Sequence, residues 1–212
     1  MLRLHGYWRS TASYRVRIAL NLKEVPYLQA THDLRRSENR EPAYLELAPQ
    51  GLVPALETED GVITQSLAIL EWLEERFPAP ALLPSDTFSR SLVRSMALTV
   101  AADIHPLNNL RVLNTLRIEA AFDERETNDW ISRWIISGFT ALERFVARHG
   151  GRYAFGDAPT LADCLLVPQV YSARRFGVDL APFPKLVAAA VAAEGLPAVE
   201  AAHPDRQPDA DR

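Results

Sequence analysis

One cysteine, Cys164, is all that the 212 residues contain. That excludes an internal disulfide and any site built on paired thiolates, and it points to a reducing, cytosolic setting. Long apolar runs are missing as well. The longest, Leu186 to Ala193, falls far short of the roughly 20 residues that span a bilayer. Arg3 and His5 interrupt the start, where a secretory leader needs apolar continuity, so no membrane partner is expected. Positive charge is scarce: 23 Lys and Arg against 27 Asp and Glu leave a net charge of −4 with no basic cluster. A nucleic-acid partner is therefore not expected. His5, His32, His149 and His203 stand without ligand spacing, and no metal is expected. The chain also lacks a Gly-x-Ser-x-Gly elbow, a His-Glu-x-x-His helix and a glycine-rich phosphate loop.

What is present begins with Tyr7-Trp8-Arg9-Ser10-Thr11-Ala12-Ser13-Tyr14-Arg15, between a short apolar strand, Met1 to His5, and a helical run to Lys23. A strand that feeds through small hydroxyl residues into a helix aims free N–H groups and the positive helix end at one spot. With Ser10, Thr11 and Ser13 as hydroxyls and Arg9 and Arg15 as cations, that spot suits a carboxylate, a phosphate or a thiolate. Equally, Ser10 or Ser13 can serve as a helix cap alone.

Further strands are predicted at Tyr27 to Thr31, Val53 to Glu57 and Val62 to Thr64, the last two joined by the turn signal Asp60-Gly61. A one-sided helix follows from Leu67 to Phe77 with Ser66 as its cap. Pro78, Pro80 and Pro84 mark a break. After it the pattern is helical: Thr87 to Leu116, interrupted at His105-Pro106; Glu124 to Arg148, with Trp130, Trp134, Phe139, Leu142 and Phe145 facing inward; Leu161 to Tyr171, opened by a Thr160/Asp163 capping box; and Pro184 to Glu194. The reading is an α/β domain over residues 1–79, a linker over 80–86, and an all-helical domain over 87–212 that ends in a loose tail.

This order of elements resembles the cytosolic glutathione transferases over essentially the whole chain. The string Arg9 to Leu20 resembles the signature of the zeta class, and Leu52-Val53-Pro54-Ala55-Leu56, Gln65-Ser66-Leu67-Ala68-Ile69, Pro106-Leu107-Asn108-Asn109-Leu110 and Val167-Pro168-Gln169-Val170 fall where that class has similar strings. One position departs: Ala12 stands where the signature usually carries cysteine, a feature shared with the maleylpyruvate branch.

The resemblance implies a thioredoxin-like first domain with a mixed four-stranded sheet, a helical-bundle second domain, glutathione as cofactor, a homodimer and a cytoplasmic location. It implies glutathione-dependent cis–trans isomerisation of maleylacetoacetate to fumarylacetoacetate: thiolate addition to the cis double bond, rotation and elimination. Maleylpyruvate isomerisation is one alternative; a general conjugating transferase and a non-catalytic glutathione-binding protein are the others. It assigns thiolate activation to Ser10, with Thr11, Ser13 and Arg15 beside it. Glutathione contacts fall on Val53, Pro54 (with a cis peptide between them), Gln65, Ser66 and Asn109. The substrate is a small dicarboxylate, for which Arg9, His105, Arg111 and Arg175 are the candidate contacts. On the residues alone, Ser66 can be a cap, His105 a structural histidine beside a kink, and Arg111 and Arg174 ordinary solvated side chains.

Overall fold

The structure is a computed structural model and describes residues 1–211. In chain order its elements are β1 (Leu2–Gly6), α1 (Thr11–Leu22), β2 (Tyr27–Thr31), α2 (Pro42–Leu47), β3 (Ala55–Thr58), β4 (Gly61–Thr64), α3 (Ser66–Arg76), α4 (Thr87–Leu98), α5 (Leu110–Ile118), α6 (Glu124–His149), α7 (Leu161–Arg175), α8 (Pro184–Glu194) and α9 (Pro197–Ala202). They form two compact units, Met1–Leu82 with Glu194–Arg212, and Leu83–Ala193.

The first unit holds a four-stranded sheet in the order β2-β1-β3-β4. β1 pairs parallel with β2 and antiparallel with β3, which pairs antiparallel with β4, so the sheet is mixed. The parallel pair requires a crossover, and α1 supplies it. Val16, Ile18, Ala19 and Leu20 of α1 are fully buried with Ile69, Leu70 and Leu73 of α3 and Leu56 of β3. This apolar burial is the unit's main source of stability.

Two features differ from the sequence reading. Ser66 is the first helical residue of α3; the cap position belongs to Gln65, which has φ 70° and gives no side-chain hydrogen bond to the helix. The C-terminal stretch is not loose either. It adds α9 and packs within the first unit: Arg17 Nε donates to Ala202 O (3.0 Å), Asn21 to Ala198 O (2.9 Å) and Gln29 to Gln207 (3.0 Å). Hydrophilic composition hid this: beside the buried Val199 and Ala202, the stretch is held by polar contacts across the sequence.

The second unit is helical. Between α4 and α5 the chain passes through a π-helical turn, Thr99–Ile104, and a 3-10 turn, His105–Asn108. The interruption expected at His105-Pro106 is thus wider than a kink. A proline nitrogen has no hydrogen to give and its ring crowds the preceding turn, which disrupts regular α-helical bonding there. A Cβ at residue 138 of α6 would collide with Ile104, so glycine is what lets α6 approach this turn. The buried stripe of α6 is Ile131, Ile135, Phe139, Leu142 and Val146, while Trp130, Trp134 and Phe145 sit at its edges. α7 runs four residues past the expected Tyr171, through Pro168. No helix among the described residues is long and apolar enough to cross a membrane.

At the start of α7, Asp163 accepts from Thr160 N (2.8 Å), Thr160 Oγ1 (3.0 Å) and Ala154 N (2.8 Å). Burial nonetheless pushes its carboxyl up to about 6. Because this lies above the unfolded value of about 3.9, folded-state ionisation is a cost, absent below pH about 4 and complete above about 6. Stability should therefore fall by about 2–3 kcal/mol across that window on account of this group. In Asp163→Asn the slope should vanish in urea midpoints measured over that range; an unchanged slope would assign it to another group.

Candidate active site

Within the first unit, the loop Tyr7 to Ser10 carries the chain from β1 into α1. Ser10 caps α1, its Oγ accepting from Ser13 N at 3.2 Å with an extended backbone (φ −67°, ψ 116°). The hydroxyl hydrogen is thus not used by the cap and can be donated elsewhere. Ser10 is half-buried and Thr11 nearly buried. Ser13, expected as a hydroxyl at the mouth, is fully buried against β1: a Cβ on Gly6 would lie 3.1 Å from its Oγ. Its part is to pack α1 onto the strand. Arg9 lies over the Trp8 ring, Cζ 5.2 Å from the centroid, and remains half-buried.

Arg15, expected beside Ser10, is buried and instead meets α3. Its Nη1 donates to Ser66 Oγ at 3.2 Å, while Nε and Nη2 are buried without a partner among the described residues. Burial lowers its guanidinium to about 9, still cationic at neutral pH. A buried cation with unused donors is costly unless an anion answers it. The first turn of α3 offers the place: its N–H groups have no side-chain cap, and the helix dipole adds positive potential.

The peptide Val53-Pro54 is cis, as expected. Val53 packs on the buried cluster of Tyr44, Ala48 and Ala55, and Tyr44 OH donates to Leu52 O at 2.8 Å, bracing the segment from α2. Two histidines that the sequence left scattered support this brace. His5 Nδ1 and His32 Nε2 are 3.0 Å apart, His5 Nε2 is 3.3 Å from Glu57, and the His32 ring lies 4.4 Å from Tyr44. Burial, with His5 beside it, moves the His32 imidazole below its ordinary value, so it stays neutral at physiological pH.

Gln65 Nε2 donates to Gln50 Oε1 at 2.7 Å, which fixes the residue ahead of Ser66. Sequence reasoning missed Gln50, since a lone glutamine before a glycine carries no motif. It also passed over Tyr7, whose hydroxyl is buried without a partner among the described residues and whose phenol is pushed up by burial.

Ser10, Thr11, Arg9, Arg15, Val53, Pro54, Gln65 and Ser66 therefore all belong to the first unit, and His105, Asn109, Arg111 and Arg175 to the second. Asn109 caps α5, accepting from Arg111 N at 3.1 Å, and Arg111 is exposed on the first turn of that helix. His105 opens the 3-10 turn. Arg175 ends α7 with its Cζ 4.5 Å from the Phe176 ring centroid, where a cation suits the negative helix end.

Residues 9–76 match the family model of the glutathione S-transferase N-terminal domain. The chain is 51% identical to a maleylpyruvate isomerase of Ralstonia sp over 98% of its own length and 99% of the relative's. A holo structure of a maleylpyruvate isomerase, described as a bacterial zeta-class glutathione S-transferase, superposes with TM-score 0.97 and 51% identity, covering 99% of this chain and 100% of that one. The maleylacetoacetate isomerase of Anaeromyxobacter dehalogenans 2CP-1 with glutathione bound in its active site gives TM-score 0.91 and 46% identity, covering 100% and 98%. With the sheet order and these full-length likenesses together, the chain belongs to the zeta class of the glutathione transferase family, among its maleylpyruvate and maleylacetoacetate isomerases.

Proposed function

We propose that this protein is a cytoplasmic, homodimeric, glutathione-dependent isomerase that converts the cis double bond of maleylacetoacetate to trans. The observation that carries the reading is the pairing of two features in one unit: a capping serine with a free hydroxyl hydrogen at α1, and a buried, under-partnered Arg15 behind Ser66 at α3. Glutathione fits both, since it has a thiol for the first and a γ-glutamyl carboxylate for the second. When bound it supplies the nucleophilic sulfur that adds to the substrate's double bond and later leaves.

The chain's own residues prepare that step. Ser10 donates to the sulfur and favours its ionised form, because free thiols titrate near 8.5. Ser66 Oγ and the open N–H groups of α3 hold the carboxylate, with Arg15 as the charge behind them. Gln65, held by Gln50, sets the approach to Ser66, and the segment at Val53 offers its backbone to the peptide. By resemblance, Asn109 is a further glutathione contact, and Arg9, His105, Arg111 and Arg175 are the contacts to the substrate's carboxylates and enolate oxygen.

Arg15→Met should raise the KM for glutathione about tenfold with kcat nearly unchanged, the signature of lost anion binding. A fall in kcat at constant KM would return Arg15 to the thiol. The function as a whole is tested by following cis-to-trans conversion of maleylacetoacetate and maleylpyruvate with and without glutathione. Glutathione-dependent conversion supports the reading; binding of glutathione without conversion of either overturns it. Maleylpyruvate remains the second substrate reading, favoured by the 51% identical relative and by Ala12. The two substrates differ by little more than a methylene, worth about 1–3 kcal/mol in a pocket. Light scattering that gave a monomer would remove the dimer.

A further inference from the structure

We propose that Asp209, near the end of the C-terminal segment, is a positioning residue that sets the Tyr7 to Ser10 loop and with it the Ser10 hydroxyl. The inference rests on the reading of Ser10 as the donor to the glutathione sulfur.

The loop's peptide groups are paired both within the loop and far outside it. Ser10 N donates to Tyr7 O at 3.0 Å, and Tyr14 N donates to Ser10 O at 2.9 Å. Trp8 O accepts from Arg17 Nη2 at 2.9 Å, and Tyr7 O lies 3.4 Å from Arg17 Nη1. The amide of Trp8 donates out of the loop, to Asp209 Oδ2 at 3.0 Å, across 201 positions of sequence. A buried amide must be paired, and here the pairing comes from the chain's far end. The loop is thus held from two sides, its carbonyls by a buried cation and its amide by a carboxylate.

The segment that brings Asp209 there is itself fastened. The same Arg17 side chain donates through Nε to Ala202 O at the end of α9. His203 meets the Tyr14 ring edge-on at 5.9 Å, and the buried Gln207 donates to Ala201 O (3.0 Å) and His203 O (2.8 Å). Arg17 therefore ties the loop and the root of the C-terminal segment together, and Asp209 closes the ring. The Trp8 peptide lies two residues before Ser10, so losing its partner frees the loop to turn. Displacement of a catalytic donor by about 1 Å can cost up to a hundredfold in rate.

The test uses the full chain and three variants: Asp209→Ala, Asp209→Asn, which keeps an oxygen acceptor for the Trp8 amide, and Asp211→Ala, which breaks only the exposed pair with Arg35. Each is read for kcat, for KM toward glutathione, and for the pH at which bound glutathione ionises, followed by thiolate absorbance without any maleyl substrate. Asp209→Ala should lower kcat roughly tenfold and move the thiol ionisation up toward its free value, with KM within about twofold. Asp209→Asn and Asp211→Ala should match the parent protein. An Asp209→Ala protein with unchanged kcat and thiol ionisation overturns the proposal, as does an Asp209→Asn protein impaired as severely as the alanine variant. If instead Ser10→Ala leaves the thiol ionisation unmoved, the reading of Ser10 fails. If the parent protein ionises bound glutathione yet converts neither maleyl compound, the isomerase reading fails while that of Ser10 stands.

Discussion

Ser10→Ala is expected to lower turnover by roughly 10²–10³-fold, the loss found when one preorganised hydrogen-bond donor to a reacting anion is deleted. A single alanine variant would mix the cap that Ser10 makes with the catalytic role proposed for it. Its oxygen caps α1 by accepting from Ser13 N, a contact whose loss costs about 1 kcal/mol of stability. Its hydrogen is what the sulfur would receive. Ser10→Gly separates the two, because glycine at a cap position costs only a few tenths of a kcal/mol relative to serine. Both variants should therefore be almost inactive, while only the alanine protein shows a lowered thermal midpoint. Full activity in the glycine variant would remove the hydroxyl from the chemistry and leave Ser10 as a cap.

Lys23→Met should destabilise the first unit by about 3–5 kcal/mol. Lys23 Nζ is completely buried; it is 2.6 Å from Glu74 and donates to Phe77 O (2.7 Å) and Pro80 O (2.9 Å). Glu74 in turn accepts from Leu82 N at 3.0 Å. One ion pair thus fastens the end of α1, the last turn of α3 and the chain that leaves it. Without the lysine the carboxylate of Glu74 stays buried after its cation is gone, which is worse than having no charges there. The double variant Lys23→Met/Glu74→Leu should recover much of the loss in denaturant midpoints. A single variant within 1 kcal/mol of the parent, on the order expected of an exposed pair, would show the site to be hydrated.

The elements were legible where pattern and punctuation agreed. β2 falls on the residues predicted, Tyr27–Thr31, and α8 likewise, Pro184–Glu194; the capping signals at Ser10 and at Thr160 with Asp163 mark real helix starts. Ser66 was misplaced by one residue because the actual boundary is set by the left-handed backbone of Gln65, which no composition rule assigns to glutamine. The C-terminal segment was misread for another reason. Its contacts include Arg17, Gln207 and Asp209 reaching across the sequence, and polar side chains that pair at long range look the same in a sequence as polar side chains in water. Among the candidate residues, motifs pointed to Ser10, Arg15, Val53 and Ser66, but side-chain direction was beyond them. Ser13 and Arg15 share a helix turn with the mouth yet point into the unit, because the side chains of a helix buried on most sides have different destinations.

On the proposed function, the uncapped start of α3 would be finished by the ligand. A carboxylate seated on the N–H groups behind Gln65 would do for them what serine or aspartate does at other helices, and would answer the charge on Arg15 in the same act. Glutathione would then be a component of the folded unit as well as a reagent, adding stability that grows with the logarithm of its concentration above the dissociation constant. Amide hydrogens in the first turn of α3 should exchange with solvent readily in the free protein and slow sharply as glutathione is added, while those of the capped α1 change little.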